Sequence, residues 1–409
     1  MTPRGNGRGA RRGAVAVLAA GALVLTACSS QEGAESTAGQ GARSPSGSPA
    51  APSSRAASPS TSPSASRPAA GLPPAKGSVK VVSTLTEGLE SPWGLAKLPD
   101  GDLLVGSRDK GTITRIHAKS GKKTLLGTVP GVAPAGEGGL LGLAVSPDYG
   151  TDHLVYAYFT TASDNRIARM LYDEDGTTPG QLLGAPDTIL RGIPKGAIHN
   201  GGRIAFGPDR MLYAGTGETG DDGRAQDKES PAGKILRMTP DGEPLHGNPQ
   251  ADSVVYSYGH RNVQGLAWDG HKQLWAAEFG QDTWDELNRI VPGGNYGWPE
   301  AEGKAGKAGF LDPVAQWKTS EASPSGIAFV KGSIWMAGLR GERLWRIPLS
   351  GTADKEPLAA PQSFLEGKYG RLRTVLAAGG NKLWLVTSET DSRGTPKPGD
   401  DKILVVEVQ

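Results

Sequence analysis

A short hydrophobic pair recurs six times along this chain, with a small or apolar second member each time: Leu95-Ala96, Leu143-Ala144, Ile204-Ala205, Leu266-Ala267, Ile327-Ala328 and Val375-Leu376. It usually follows Gly or Arg. A few residues later a second pair answers it: Leu103-Leu104, Val155-Tyr156, Leu212-Tyr213, Leu274-Trp275, Ile334-Trp335 and Leu383-Trp384. Turn chemistry lies between the two, as in Pro99-Asp100-Gly101, Pro147-Asp148-Tyr149, Pro208-Asp209 and Asp269-Gly270. Pro and Gly there pre-set or permit the turn dihedrals, and Asp bonds its own backbone. Strand patterning bounded by Gly, Pro and Asp dominates, and no long segment has a helical period.

The first pairs stand at 95, 143, 204, 266, 327 and 375, in steps of 48, 61, 62, 61 and 48 residues. Each step holds about four short strands, the size of one propeller blade. The fold predicted for residues 76–409 is therefore all-β, a six-bladed β-propeller of four-stranded antiparallel blades. A flat solenoid or a sandwich would also repeat strands. A Trp, Tyr or Leu at one register in every repeat suits radial packing between blades better.

The phase of the repeat sorts the polar residues. If each first strand starts at the top of a central channel, the second strand returns to the top. Residues before the first pair and after the second pair then share one face. Glu137, His199-Asn200, Arg261-Asn262, Arg371 and Arg373 fall in the first group, and Glu218, Gly280-Gln281-Asp282 and Arg340 in the second. Arg371 and Arg373 alternate, so both point the same way along a strand. Taken singly, such arginines pair with nearby acids and close the channel. Four on one face, Arg261, Arg340, Arg371 and Arg373, point to an anionic ligand held by bidentate forks. His199 leads into Asn200-Gly201-Gly202-Arg203, whose glycines allow close backbone approach. A histidine at a wet channel mouth can serve as general base, with Glu218 orienting it. His117, His153, His246, His260 and His271 read as structural. The chain has no transition-metal spacing, GxSxG, P-loop or dinucleotide fingerprint. The Gly280-Gln281-Asp282 loop offers only oxygen donors, which suit calcium rather than zinc.

Composition then locates the fold. Residues 1–27 run from Arg4, Arg8, Arg11 and Arg12 through an apolar stretch to Leu25-Thr26-Ala27-Cys28, the order of an export signal. Leu-Thr-Ala-Cys resembles a bacterial lipobox, which makes Cys28 the expected lipidation site. Arg11-Arg12 leaves Sec and twin-arginine export both open. Residues 28–75 are almost wholly Ser, Ala, Pro and Gly and read as a tether unable to offset its ordering entropy. The expected location is extracytoplasmic, lipid-anchored on the outer face of the cytoplasmic membrane, with no other membrane contact. Cys28 is the only cysteine, so disulfides within the chain are excluded. The four arginines named above exceed the whole formal charge of +2. The remainder is near neutral, with no bulk reason to bind nucleic acid.

Several segments together resemble the soluble quinoprotein glucose/sorbosone dehydrogenases, which use pyrroloquinoline quinone (PQQ) and calcium. They are Ile198-His199-Asn200-Gly201-Gly202-Arg203, Tyr258-Gly259-His260-Arg261-Asn262-Val263-Gln264-Gly265-Leu266, Glu278-Phe279-Gly280-Gln281-Asp282, Asp285-Glu286-Leu287-Asn288 and Gly294-Asn295-Tyr296-Gly297-Trp298-Pro299. The resemblance covers about residues 80–409. It implies that His199 takes the proton of a sugar hydroxyl while the substrate carbon delivers hydride to PQQ. It further implies that Arg261 and Asn262 polarise the quinone carbonyl, and that Arg371 and Arg373 bind the three PQQ carboxylates. Carbonyls of Gly280 and Gln281 would hold Ca2+, and Glu218 would sit beside the base. Three positions depart from the family pattern: Glu137 replaces a common Gln, Arg340 a common Lys, and Ile198 the Asp of glucose-active members. The implied substrate is thus an aldose or related alcohol or aldehyde, with an unidentified electron acceptor. A non-catalytic propeller binding glycans or a protein partner is the alternative; the absence of a carboxylate/Asn metal cage argues against a lactonase.

Overall fold

The computed structural model describes residues 72–350 and 357–409, and Pro68–Gln409 forms one compact unit. The export signal, Cys28 and most of the tether lie outside the described residues. The fold is the six-bladed propeller expected: six four-stranded antiparallel sheets. Blades 1 to 6 start with the inner strands Pro92–Lys97, Leu140–Val145, Ile204–Phe206, Val263–Trp268, Pro324–Val330 and Leu372–Gly379. Each inner strand packs against the inner strands of the two flanking blades, and blade 6 meets blade 1.

The repeated pairs fall in one register. The second member of each inner pair lies directly across from the second member of its answering pair: Ala96 from Leu104, Ala144 from Tyr156, Ala205 from Tyr213, Ala267 from Trp275, Ala328 from Trp335, and Leu376 from Trp384. A small residue on the crowded inner strand leaves room for a large one on the second strand, which spreads toward the neighbouring blade. Just upstream of the pairs, the inner strands of blades 1, 2, 4, 5 and 6 all carry a register shift. Such irregularities bend a strand and re-aim its side chains, here where the channel opens.

The ring closes without covalent help. Strand Val79–Thr86, from the N-terminal side, pairs with the last strand Ile403–Val408 and completes blade 6. Buried Arg346 donates to the carbonyls of Pro74 (2.7 Å) and Ala75 (3.4 Å). These two bonds fasten residues 74 and 75 to blade 5, because the buried guanidinium needs acceptors and finds them in that stretch.

Trp335 is fully buried, and its indole donates to Val330 O at 3.1 Å. Trp335→Ala is expected to cost about 3–5 kcal/mol in denaturant unfolding, as for other buried aromatic truncations.

Candidate active site

The loops at one end of the channel enclose a cavity of about 650 Å³. Its walls include most of the residues that the repeat phase assigned to that face, namely Glu137, His199, Asn262, Gly280, Gln281, Arg340, Arg371 and Arg373, whereas Asn200, Glu218, Arg261 and Asp282 do not line it. Backbone geometry sets the histidine. His199 has φ 52°, a left-handed conformation, and its N–H donates to Glu137 Oε2 at 2.9 Å. A side chain at Gly217 would collide with the His199 carbonyl, so only glycine lets the two segments touch. That contact delivers the next residue: buried Glu218 accepts a short hydrogen bond from His199 Nδ1. Its other oxygen takes the Gly220 N–H. With the proton fixed on Nδ1, the free lone pair of the ring is on Nε2.

Asn262 is buried, and its Oδ1 accepts the Gly201 N–H at 2.9 Å. Its Nδ2 donor has no acceptor among the described residues and belongs to a cavity-lining side chain. Arg261, the residue before, faces the other way. Its Nη1 donates to Gly280 O at 2.6 Å, its guanidinium lies 5.3 Å from the Trp298 ring centre, and its buried Nε has no partner. It thus stands behind the Phe279–Gly280 wall rather than in the cavity, because consecutive residues entering a strand point to opposite faces. Burial lowers the Arg261 pKa, against the pull of Glu218 and other acids.

Arg371 and Arg373 point together, as alternation requires, and share one carboxylate oxygen: Asp391 Oδ2 lies 3.0 Å from Arg371 Nη2 and 2.8 Å from Arg373 Nη2. Burial works to raise the Asp391 pKa, but the two guanidiniums outweigh it and hold that carboxyl well below the usual range. Arg373, buried, is pushed down to about 10 by desolvation and by its cationic neighbours, despite Asp391. Arg340 is exposed at the rim with no ion-pair partner among the described residues. One side of the cavity thus holds more cation than its own acids neutralise. Residues 89–395 match the glucose/sorbosone dehydrogenase family. The chain belongs to it.

Relatives agree. The PQQ-bound aldose sugar dehydrogenase of Streptomyces coelicolor is 72% identical, with TM-score 0.81, over 82% of this chain and 100% of that one. Aldose sugar dehydrogenase YliI of Escherichia coli is 30% identical over 341 residues, 76% of this chain and 90% of its own. Quinoprotein glucose dehydrogenase B of Acinetobacter calcoaceticus is 31% identical over 256 residues, 54% of this chain and 53% of its own.

Within this family member, the site also contains residues that sequence reasoning missed. Trp93, Arg108, Gln264, Asp285, Asp391 and Arg393 line the cavity. Trp93 and Gln264 stand two residues before their hydrophobic pairs, as Arg373 does, so the repeat register could have found them. Asp391 and Arg393 lie in a long loop after the second strand of blade 6, where spacing says nothing of direction. Arg393 donates to Glu137 Oε1 at 2.8 Å. His260, read as structural, is fully buried between Ser257 (2.8 Å) and Glu278 (2.7 Å) and stacks on Tyr296. Asn200 braces the loop instead of facing the cavity: its Oδ1 accepts from Gly196 N–H and Asn165 Nδ2, both at 3.0 Å.

Removing the shared acid tests this electrostatic account. Asp391→Asn is expected to cost about 3–5 kcal/mol at pH 7, because buried Arg373 and partly buried Arg371 lose their shared partner. A carboxyl with a depressed folded pKa stabilises fully above its unfolded pKa of about 3.9 and loses that contribution as pH falls toward the folded value. The gap between wild type and variant in denaturant unfolding should therefore shrink as pH falls below about 4.

Proposed function

We propose that this protein is a PQQ-dependent aldose dehydrogenase, exported and held by a lipid on Cys28 at the outer face of the cytoplasmic membrane. The observation that carries the activity is His199, locked by Glu218 and facing a cavity whose opposite wall is an incompletely neutralised arginine set. A planar tricarboxylate fits that donor set. Arg371, Arg373 and Arg340 supply forks for carboxylates, Trp93 supplies a flat wall, and Asn262 Nδ2 supplies a donor for a carbonyl oxygen. The PQQ-bound Streptomyces coelicolor relative supports the same cofactor.

When bound, PQQ supplies the two-electron acceptor that takes hydride from the sugar carbon. The residues of the chain do the rest. His199 Nε2 accepts the proton of the substrate hydroxyl, and Glu218 stabilises the resulting imidazolium at Nδ1. Glu137 holds the His199 backbone, so the imidazole does not need to reorient. Arg261, with Glu278 on its N–H at 2.8 Å, holds the Gly280 carbonyl from behind and so fixes that stretch of the cavity wall.

Ca2+ would take the carbonyls of Gly280 and Gln281, and the Gly280 oxygen would have to give up the Arg261 Nη1–H that it accepts at 2.6 Å, since a guanidinium and a divalent cation repel on one oxygen. Both carbonyls are neutral oxygen donors of the kind calcium prefers. Among the described residues no cluster of three or more His, Cys, Asp or Glu makes a metal cage. The cation would therefore be held largely through the cofactor it shares, and chelation should weaken PQQ retention along with activity. Electrons would pass to an external acceptor. The lipid anchor and the export route rest on the order of charged, apolar and small residues before Cys28.

The test begins with purified protein, PQQ and calcium, a panel of aldoses and a reducible dye. Sugar-dependent dye reduction is expected, with quinone absorbance retained after desalting; absence of both would favour a non-catalytic propeller. His199→Gln should lower turnover at least about 10²-fold, the scale of a positioned base, while PQQ still binds. Loss of PQQ binding in that variant would make His199 a cofactor ligand instead. Removing calcium with EGTA should lower both activity and the amount of PQQ retained on desalting.

A further inference from the structure

Immediately before the six hydrophobic pairs stand Gly94, Gly142, Arg203, Gly265, Gly326 and Thr374. This is the tightest point of the ring. A Cβ on Gly94, Gly142 or Gly265 would collide with the carbonyl oxygen of Leu141, Gly202 or Ser325 in the next blade. At Gly326 it would lie 2.9 Å from Thr374 Cα and 3.1 Å from the Arg373 carbonyl. Blades 3 and 6 depart from glycine, and each meets the corresponding carbonyl with a donor. Thr374 Oγ1 donates to Trp93 O at 2.8 Å, and Arg203 Nε donates to Gln264 O at 2.8 Å.

Blades 3 and 6 stand opposite one another in a ring of six. Arg203 Nη2 reaches Thr374 Oγ1 at 3.2 Å, so one guanidinium spans the axis. It lies one side chain below the cavity: its centre is 4.4 Å from the Trp93 ring centre, and that of Arg373 is 5.7 Å from the same ring. Trp93, Gln264 and Arg373 are the cavity wall above it.

The hydrogen bonds do not require a charge there, since Thr374 meets its carbonyl with a hydroxyl. No carboxylate pairs with Arg203 among the described residues. Burial, with Arg373 adding to it, pushes Arg203 down to about 9, a measure of how unfavourable that position is for a cation. Two other buried cations have a plain structural task. Lys234 holds three loop carbonyls, of Arg224, Ala225 and Ala232, and Arg346 holds the N-terminal stretch. Arg203 gathers no loop.

We propose that Arg203 is a positioning residue whose charge is matched by the anionic ligand of the cavity and by no group of the protein. Its guanidinium draws carboxylates down against Trp93 and Arg373, strengthening ligand binding while destabilising the ligand-free protein. The proposal rests on the reading that the cavity holds PQQ or a similar polycarboxylate. A buried ion replaced by a well-packed apolar side chain is often neutral or stabilising, whereas one unit charge about 8–10 Å from an anion at an effective dielectric of about 20 is worth roughly ten- to thirty-fold in affinity.

The test uses Arg203→Met, Arg203→Gln and Arg203→Lys, with PQQ and benzene-1,3,5-tricarboxylate as probes. Ligand-free Tm is expected unchanged or raised in the Met and Gln variants, with Kd for both probes about ten- to thirty-fold weaker. The Lys variant should stay within about threefold of wild type, because it keeps the charge and loses only the fork. Failure of the Met and Gln variants to fold, unchanged affinity in them, or an equal loss in Lys would overturn the proposal. Wild type that binds the tricarboxylate but not PQQ would discard the PQQ reading and leave Arg203 its role. Wild type that binds neither would overturn both.

Discussion

The close approach of six inner strands around one axis is the constraint on which the rest of this structure depends. Backbones that must nearly touch exclude a side chain at the tightest register, and glycine fills it in four blades. Two residues further on, five blades admit only an alanine, and the space it leaves is filled by a Leu, Tyr or Trp of the second strand. That alternation of void and bulk spreads each blade outward as a wedge. Six wedges close when Val79–Thr86 completes the last sheet, so stability comes from packing and strand pairing in a chain whose single cysteine can form no intrachain disulfide. Closure also brings the upstream ends of all inner strands onto one small circle, and chemistry from distant parts of the sequence meets there.

On that circle the dominant force is charge. Arg108, Arg340, Arg371, Arg373 and Arg393 line the cavity against Glu137, Asp285 and Asp391. The acids are already committed: Asp391 to Arg371 and Arg373, Glu137 to Arg393 and the His199 N–H, Asp285 to the N–H groups of Gly280 (3.0 Å) and Ser323 (2.6 Å); Arg108 has its own partner in Asp109 at 2.6 Å, so the surplus lies at Arg340 and at the Arg371–Arg373 pair that shares one carboxylate. A protein that needed only to close its channel would reach a lower energy with fewer cations or more acids, since unpaired buried charge is costly. The surplus has a physical reason only if an anion completes it. The His199 ring has its own buried carboxylate in Glu218, and Glu137 links the backbone of that histidine to Arg393 in the cationic set.

The fold was legible because a propeller writes its geometry as repetition. Small–large pairing at Ala96, Ala144, Ala205, Ala267 and Ala328 is a local packing rule repeated in register, and its phase correctly gathered Glu137, His199, Asn262, Arg340, Arg371 and Arg373. Strand parity distinguishes faces only for residues whose directions it fixes. Arg261 and Asn262 adjoin, so both could not enter the channel, and the larger and more obviously functional residue was the one turned away. Asp391 and Arg393 were illegible for a different reason. They lie in a loop whose path is set by buried Asp401, which accepts the Glu389 N–H at 2.6 Å and the Thr387 hydroxyl at 2.8 Å, and no periodicity records such a contact. Arg203 was visible in the sequence, yet its significance depended on knowing that five counterparts in the ring carry glycine or threonine.

Depth in the cavity separates two kinds of specificity. The floor of Trp93, Gln264 and Arg373 is built from the inner strands of blades 1, 4 and 6, with Arg373 Nη1 donating to Gln264 Oε1 at 3.3 Å, so a change there reaches across the ring. The rim has no such coupling. Ile198 is 39% exposed beside the histidine, and Arg340 is exposed and unpaired. Glu137 belongs to both levels: one oxygen anchors His199 and the other reaches Arg393, on a loop of blade 6. A glutamine at 137 could still accept the His199 N–H, but it would loosen the charge link to Arg393 and bring an N–H donor to the cavity wall at a position where this chain has only acceptors. Substitutions at the exposed rim positions Ile198 and Arg340 can therefore change the mouth of the cavity without disturbing the ring below, because neither side chain is tied into the inner strands.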